Sequence, residues 1–348
     1  MVSRELTARS EEPAELSMLI AGDIGGTKTD LAIYSKELGP HAPLAQAQFH
    51  SADFPSLQAM VAKYLAQVNM SVDVGSFDIA GPVIDGHART TNLPWEMNEV
   101  SLARDLGLKS VHLMNDLAAV ARAVPVLRPV DLLTLNRGQG VPRGAIAVIA
   151  PGTGLGESFL TWDGERYVAH ESEGGHSDFA PTDERQLRLL AFLRGRFDHV
   201  GVERVCSGIG VPNVYEFLRD AEKVPELPEV ARRIAAAPDR TKAILDAAND
   251  PDAPSELCRA TVDLVAAILA GEAGNLALKV LATGGLYIAG GVALHLVDAL
   301  KQPRFVQTFA RKGRFRELVE RIPIHVITAR AALLGAATFG LDRLKEKR

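Results

Sequence analysis

Cysteine is scarce in this chain: Cys206 and Cys258 are the only two among 348 residues, and neither belongs to a CxxC pair or a Cys/His ligand spacing. That scarcity excludes a disulfide framework and a structural zinc site, and it fits a reducing cytoplasm. No Lys/Arg-rich run is present and the net charge is -5. An electrostatic grip on nucleic acid or anionic lipid is therefore not expected. Long apolar runs are also missing. The nearest, residues 260–282, carries Asp263, Glu272 and Lys279, which a single lipid-facing span accommodates poorly. It is expected to be a buried soluble helix with Leu264, Ile268, Leu276 and Val280 on one face. Residues 1–17 lack an apolar signal core and read as a loose tail. Finally, no GxGxxG opens a helix and no GxxxxGK[ST] occurs, so neither a Rossmann fingerprint nor a Walker loop explains the glycine turns that do occur.

What is present is 47% apolar and 23% charged residues over a length that favours two domains. "MLIAGDIGG" followed by "TKTDLAIYS" predicts strand, glycine turn, strand. "GAIAVIAPGTGLGESFLTW", 144–162, repeats that layout. Between them strand-like and helix-like segments alternate, including "FDIAGPV", "SVHLMND" and "LAAVARAVP". Two related α/β halves follow, each presenting a glycine hairpin suited to one polyphosphate. The expected division is a tail at 1–17, a small α/β domain of 18–125 plus 326–345, and a larger α+β domain of 126–325.

The first hairpin poses a chemical problem. Gly22, Gly25 and Gly26 allow close backbone approach, and the turn amides and the Thr27 hydroxyl can donate to phosphate oxygens. Asp23 repels such a phosphate unless a divalent cation stands between them, and Mg²⁺ with retained waters suits that place. A tight turn in which Asp23 satisfies its own backbone is the plain alternative. Gly152, Thr153 and Gly154 repeat the phosphate reading. Gly290 and Gly291, where a strand meets a helix, offer either a flat ligand-facing surface or helix–sheet packing. Asp116, at the end of "MND", is either a helix cap or a general base for a hydroxyl, with Asn115 beside it. Glu173 and His176 flank two glycines, which suits a polyol better than a helix-borne zinc pair. Glu203 reads alone as a first-turn acid. Trp95 reads as core, and Asn92 can face a cleft.

In this order, "GDIGGTKTDLAI", "TNLPW", "NDLAAVA", "GTGLG", "EGGHSDFAP", "ERVCSG", "GNLAL" and "YIAGGV" resemble the bacterial glucokinase family of the actin, hexokinase and Hsp70 superfamily. The resemblance spans about residues 18 to 343. It implies a two-domain actin-like ATPase (ribonuclease H-like) α/β fold with an interdomain cleft, and transfer of a phosphoryl group from MgATP to the 6-hydroxyl of glucose. It implies an ATP loop of Gly22, Asp23, Ile24, Gly25, Gly26 and Thr27, joined by Gly152, Thr153, Gly154, Gly290 and Gly291, with Asp23 on Mg²⁺ through water. Asp116 becomes the catalytic base, and Asn92, Asn115, Glu173, His176 and Glu203 join it on the sugar. A cytoplasmic homodimer is the family expectation. Lys28 in "DIGGTKT" is more similar to the ROK sugar kinases, but their cysteine-rich zinc motif is absent after "EGGH". A kinase for another hexose or N-acetylhexosamine is the near alternative, and a nucleotide-dependent sugar sensor the distant one.

Overall fold

Apolar, β-favouring runs joined by glycine turns build a large sheet in each of two units, against which helices pack. The computed structural model describes residues 17–90, 93–253 and 255–345, so the tail at 1–16 and Asn92 lie outside the described residues. The chain divides into two units: the described residues up to Ala119 together with those from Ala332 onward, and Val120–Ala331.

Unit 1 contains β1 (Met18–Ile24), β2 (Lys28–Ser35), β3 (Ala45–His50), β4 (Val74–Ile79), β5 (Val83–Ile84), β6 (His87–Arg89), β7 (Glu96–Asn98) and β8 (Ser110–Asn115). The main sheet has the order β3-β2-β1-β4-β8, and β5, β6 and β7 form a small second one. β1 and β2 make the antiparallel hairpin, while β1, β4 and β8 run parallel. Alternation along the strands divides the core between the two faces. Ile20, Ile24, Leu31 and Ile33 meet helix Leu57–Val68 through Leu57, Met60, Val61 and Tyr64. That i, i+3, i+4, i+7 spacing is why the segment is helical; Ser56 caps its start by accepting the Ala59 N–H, and Asn69 ends it in the left-handed region at φ 52°. On the other face Leu19, Ala21, Ala32 and Tyr34 meet Leu333, Ala336, Ala337 and Leu341 of helix Ala331–Lys345. The Ser76 hydroxyl donates to the Ala336 carbonyl at 2.7 Å. A β-carbon at Gly335 would lie 1.7 Å from the Ala119 carbonyl oxygen, so only glycine allows helix Ala331–Lys345 to touch helix Asp116–Ala123 there.

Unit 2 repeats the hairpin layout with β9 (Leu132–Asn136), β10 (Ile146–Pro151), β11 (Leu155–Trp162), β12 (Tyr167–Ser172), β13 (Gly285–Ile288) and β14 (Ile324–Ile327). Its sheet order is β12-β11-β10-β13-β14-β9. β10 and β11 pair antiparallel, and β13 joins β10 in parallel. The long apolar segment forms helix Glu256–Lys279, enclosed by helices Gly210–Asp220, Arg240–Ala248 and Pro303–Phe309. The helix is buried as expected, and on more than one face. Leu264, Ile268 and Leu276 are buried, but so are Thr261, Ala266, Ala270, Glu272 and Ala273, and Val280 is the residue that ends the helix. A central helix has no solvent face to keep polar. The segment after β13 is also less regular than one helix, breaking into Gly291–His295 and Val297–Leu300.

Candidate active site

In unit 1, β1 continues to Ile24, so Gly22, Asp23 and Ile24 are strand residues and only Gly25, Gly26 and Thr27 turn. Gly22 is a packing glycine: a β-carbon there would stand 2.7 Å from Leu31 and 2.8 Å from Phe77. Ile24 points into the core, which leaves its backbone alone to meet a ligand. In the turn, the Gly25 N–H donates to the Lys28 carbonyl at 3.1 Å. Buried Ser51 takes up the turn's carbonyls, donating its hydroxyl to Gly25 at 2.7 Å and its N–H to Thr27 at 2.9 Å. Thr27 and Lys28 stay exposed. No local motif marks Ser51, which reaches the turn only through the pairing of β3 with β2.

Three carboxyl groups gather at the C-terminal ends of the parallel strands. Asp23 on β1 stands level with Asp78 on β4, and Asp78 with Met114 on β8, two residues before Asp116. Asp78 is completely buried, and among the described residues neither of its oxygens meets an N–H or O–H donor from another residue. Burial raises its pKa well above the carboxylate range, and the nearby charges of Asp23 and Asp116 add to the rise. The Asp23 carboxylate is the side-chain hydrogen-bond partner that favours the neutral form of Asp78.

The MND segment separates the two roles that sequence left open for Asp116. Asn115 is the cap: its Oδ1 accepts the Leu117 N–H at 2.9 Å and the Ala118 N–H at 3.4 Å, and its Nδ2 donates to the Gly81 carbonyl at 3.1 Å. Asp116 is the first helical residue, open to solvent. The Leu117 N–H is shared with its Oδ1 at 2.8 Å, which fixes the orientation of the carboxyl group. Although one side is open, the protein packed around it desolvates Asp116 enough to raise its pKa, against the lowering effect of the Leu117 amide and Asn115. Trp95 is core, 2% exposed, with its indole N–H on the Phe54 carbonyl.

In unit 2 the second hairpin is held from behind. Gly152 and Thr153 give their carbonyls to the N–H groups of Gly208 and Ile209, at 2.8 and 3.1 Å. Nothing lies within 4 Å of the β-carbon position at Gly152, whereas that position at Gly154 is filled by Glu203 Oε2. Glu203, in the 3₁₀ turn Val202–Arg204, accepts the Leu155 N–H at 3.0 Å. The carbonyl of the same Leu155 lies against Gly175, where a β-carbon would approach it to 2.0 Å. One residue thus joins the glycine hairpin, Glu203 and the turn Gly174–His176. Glu173 is 91% exposed and His176 64% exposed by side chain, 3.8 Å apart. Gly290, at φ 90°, packs so closely that a β-carbon there would stand 2.4 Å from the Pro151 carbonyl oxygen, while the space at Gly291 is open. The two glycines divide packing and access between them.

Glu157 escaped the sequence reading. It is 1% exposed on β11, just beyond the hairpin, and its Oε1 has no hydrogen-bond partner. Burial first, and the Glu272 charge second, push its pKa up to about 7.

Among the described residues no three His, Cys, Asp or Glu side chains form a metal cage. A zinc site does not fit. Mg²⁺ does, because it keeps several waters and needs only one or two carboxylates plus phosphate oxygens, which Asp23 and the open amide turn can accommodate.

The family model for glucokinase matches residues 20–342. The chain is 39% identical to a glucokinase of Nostoc punctiforme over 92% of its own length and 98% of the relative's. Its structure resembles the crystal structure of a glucokinase from an Antarctic psychrotroph, with TM-score 0.81 and 28% identity over 94% of this chain and all of that one. A ROK family glucokinase from Streptomyces griseus, solved with glucose and AMPPNP, shares the fold at TM-score 0.61 and 19% identity, over 94% of this chain and all of that one. With two glycine hairpins, an uncapped Asp116 and a match over nearly its whole length, this chain belongs to the glucokinase family.

Proposed function

We propose that the protein transfers the γ-phosphoryl group of ATP to the 6-hydroxyl of D-glucose, giving glucose 6-phosphate and ADP, with Asp116 as the base. The observation that carries the reading is the division of labour in MND: Asn115 caps the helix, which frees the Asp116 carboxylate for a substrate. Its raised pKa makes it a stronger base than an ordinary aspartate. One oxygen, held by Leu117, sets the angle; the other takes the hydroxyl proton as the sugar oxygen attacks. In a loose transition state charge accumulates on the phosphoryl oxygens, so alignment and electrostatics carry most of the acceleration. Asp23 would hold Mg²⁺, which would supply positive charge there when bound. The Gly25 and Gly152 N–H groups close their own turns, so the amides of Gly26, Thr27, Thr153 and Gly154 hold phosphate oxygens, Gly291 lets the nucleotide approach, and Glu173, His176 and Glu203 receive sugar hydroxyls. Asn115, whose oxygen is engaged as a cap, reaches a hydroxyl only through its remaining N–H. The family resemblance supports a cytoplasmic homodimer.

The test is sugar-dependent ADP release across glucose, mannose, fructose and N-acetylglucosamine, with and without Mg²⁺. Glucose is expected to give the highest kcat/KM, with turnover lost on chelation. ADP release unchanged by any sugar would leave a sensor or plain ATPase in its place. Glu173→Gln is expected to raise the glucose Kd roughly tenfold, since a charged acceptor is replaced by a neutral one, with little change in ATP affinity. An unchanged glucose Kd by calorimetry would remove Glu173 from the sugar site.

A further inference from the structure

Beneath the turn that carries Glu173 and His176 lies a carboxyl group that phosphoryl transfer does not use. Glu157 stands opposite Ser172 on β12. Its Oε2 is so close to Gly174 that a β-carbon there would approach it to 1.9 Å. The neighbouring Gly174 N–H is already given to the Ser172 hydroxyl, at 3.0 Å. From helix Glu256–Lys279 come Glu272, 5% exposed, and Lys279, but Lys279 pairs with Glu272 at 3.5 Å. Glu272 also accepts from Asn275 at 3.0 Å. Lys312 is occupied by the Gly271 carbonyl and Asn275 oxygen, at 2.8 and 2.6 Å. Among the described residues the remaining titratable neighbour is the buried Cys206 thiol; in register, β10 places Ile149 and β12 places Ser172 opposite Glu157. The turn itself brings Glu173 and His176, both on its solvent side.

We propose that Glu157 is a positioning residue for the sugar turn: its protonated carboxyl is the floor on which Gly174 rests, and its ionisation loosens the turn and weakens glucose binding. The inference rests on the sugar reading of Glu173 and His176. A carboxylate at this depth, with Oε1 unpartnered, must gain a donor or a water when it ionises. The turn has solvent on its outer side, whereas the sheet is paired strand to strand and the long helix is packed among three others, so the turn is the piece that yields. A carboxyl that titrates near neutrality would make this a working-range effect. The sign follows from linkage: glucose favours the protonated form, so binding raises the Glu157 pKa, and affinity is constant well below that pKa and falls as pH rises through it.

The experiment measures glucose KM, ATP KM and kcat from about pH 6 to about pH 8.5 for the natural protein and for Glu157→Gln, which keeps the shape and cannot ionise. In the natural protein glucose KM is expected to rise up to roughly tenfold across the range, the effect of a one-unit difference between free and bound pKa, while ATP KM stays level. In Glu157→Gln the glucose profile is expected to be flat. His176 is present in both proteins, so superimposable profiles would overturn the proposal. Infrared difference spectra of the unmodified protein at about pH 7.5 provide a second reading, independent of whether the variant folds. Glucose is expected to increase the protonated-carboxyl absorption, which a histidine cannot supply, and no increase overturns the idea. Absence of any glucose phosphorylation by the natural protein would instead strike the functional reading itself.

Discussion

Asp116→Asn is expected to lower kcat for glucose phosphorylation roughly 10²- to 10⁴-fold, the range lost when a positioned base is removed, while glucose Kd changes less than about threefold. The amide is nearly isosteric and still accepts the Leu117 N–H, so the orientation of the group survives. What goes is the ability to take a proton. Asn115, which caps the helix, is untouched, so the fold should not suffer. Thermal denaturation and glucose calorimetry check that part, and single-turnover kinetics the chemical step. Near-normal kcat would remove Asp116 as base. In the natural protein, kcat should fall as pH drops through the Asp116 pKa, because the base is needed unprotonated. That fall should begin at a higher pH than for an ordinary aspartate, since desolvation raises this one.

The second large effect separates neighbouring glycines. Gly290→Ala faces two penalties: φ 90° with ψ 152°, a region nearly reserved for glycine, and a β-carbon 2.4 Å from the Pro151 carbonyl. Together they are expected to cost about 2–5 kcal/mol of stability. Gly291→Ala meets nothing within 4 Å and opens a helix, where alanine is the better former. Its melting temperature should therefore hold or rise slightly. Yet if nucleotide approaches through that open space, its ATP KM should rise about tenfold or more with glucose KM unchanged. Unaltered ATP kinetics in Gly291→Ala would reduce both glycines to packing.

Legibility in the sequence followed the reach of local chemistry. Both hairpins could be read because an apolar strand, a glycine turn and a second strand are contiguous. Trp95 was read as core for its size and sits there. The roles of Asn115 and Asp116 were not separable, since either side chain can cap a helix and one residue of spacing does not choose. Asp78 was invisible for a different reason: all six residues of β4 are buried, so alternation gives no inward or outward side and an acid in that run carries no signal. Ser51 and Glu157 owe their importance to partners brought by strand pairing, which no window of neighbouring residues contains. The long helix was identified correctly as buried; that apolar residues run nearly all round it follows from its being enclosed by three others.

The contact of Gly335 with the Ala119 carbonyl also bears on synthesis. The helix that begins with Asp116 rests on a partner separated from it by the whole of unit 2. On the ribosome, the second unit is therefore complete before the support beneath the Asp116 helix has been translated. A nascent chain stalled before residue 331 would carry its glycine hairpins and the Gly174–His176 turn yet lack the seat for the helix that Asp116 begins.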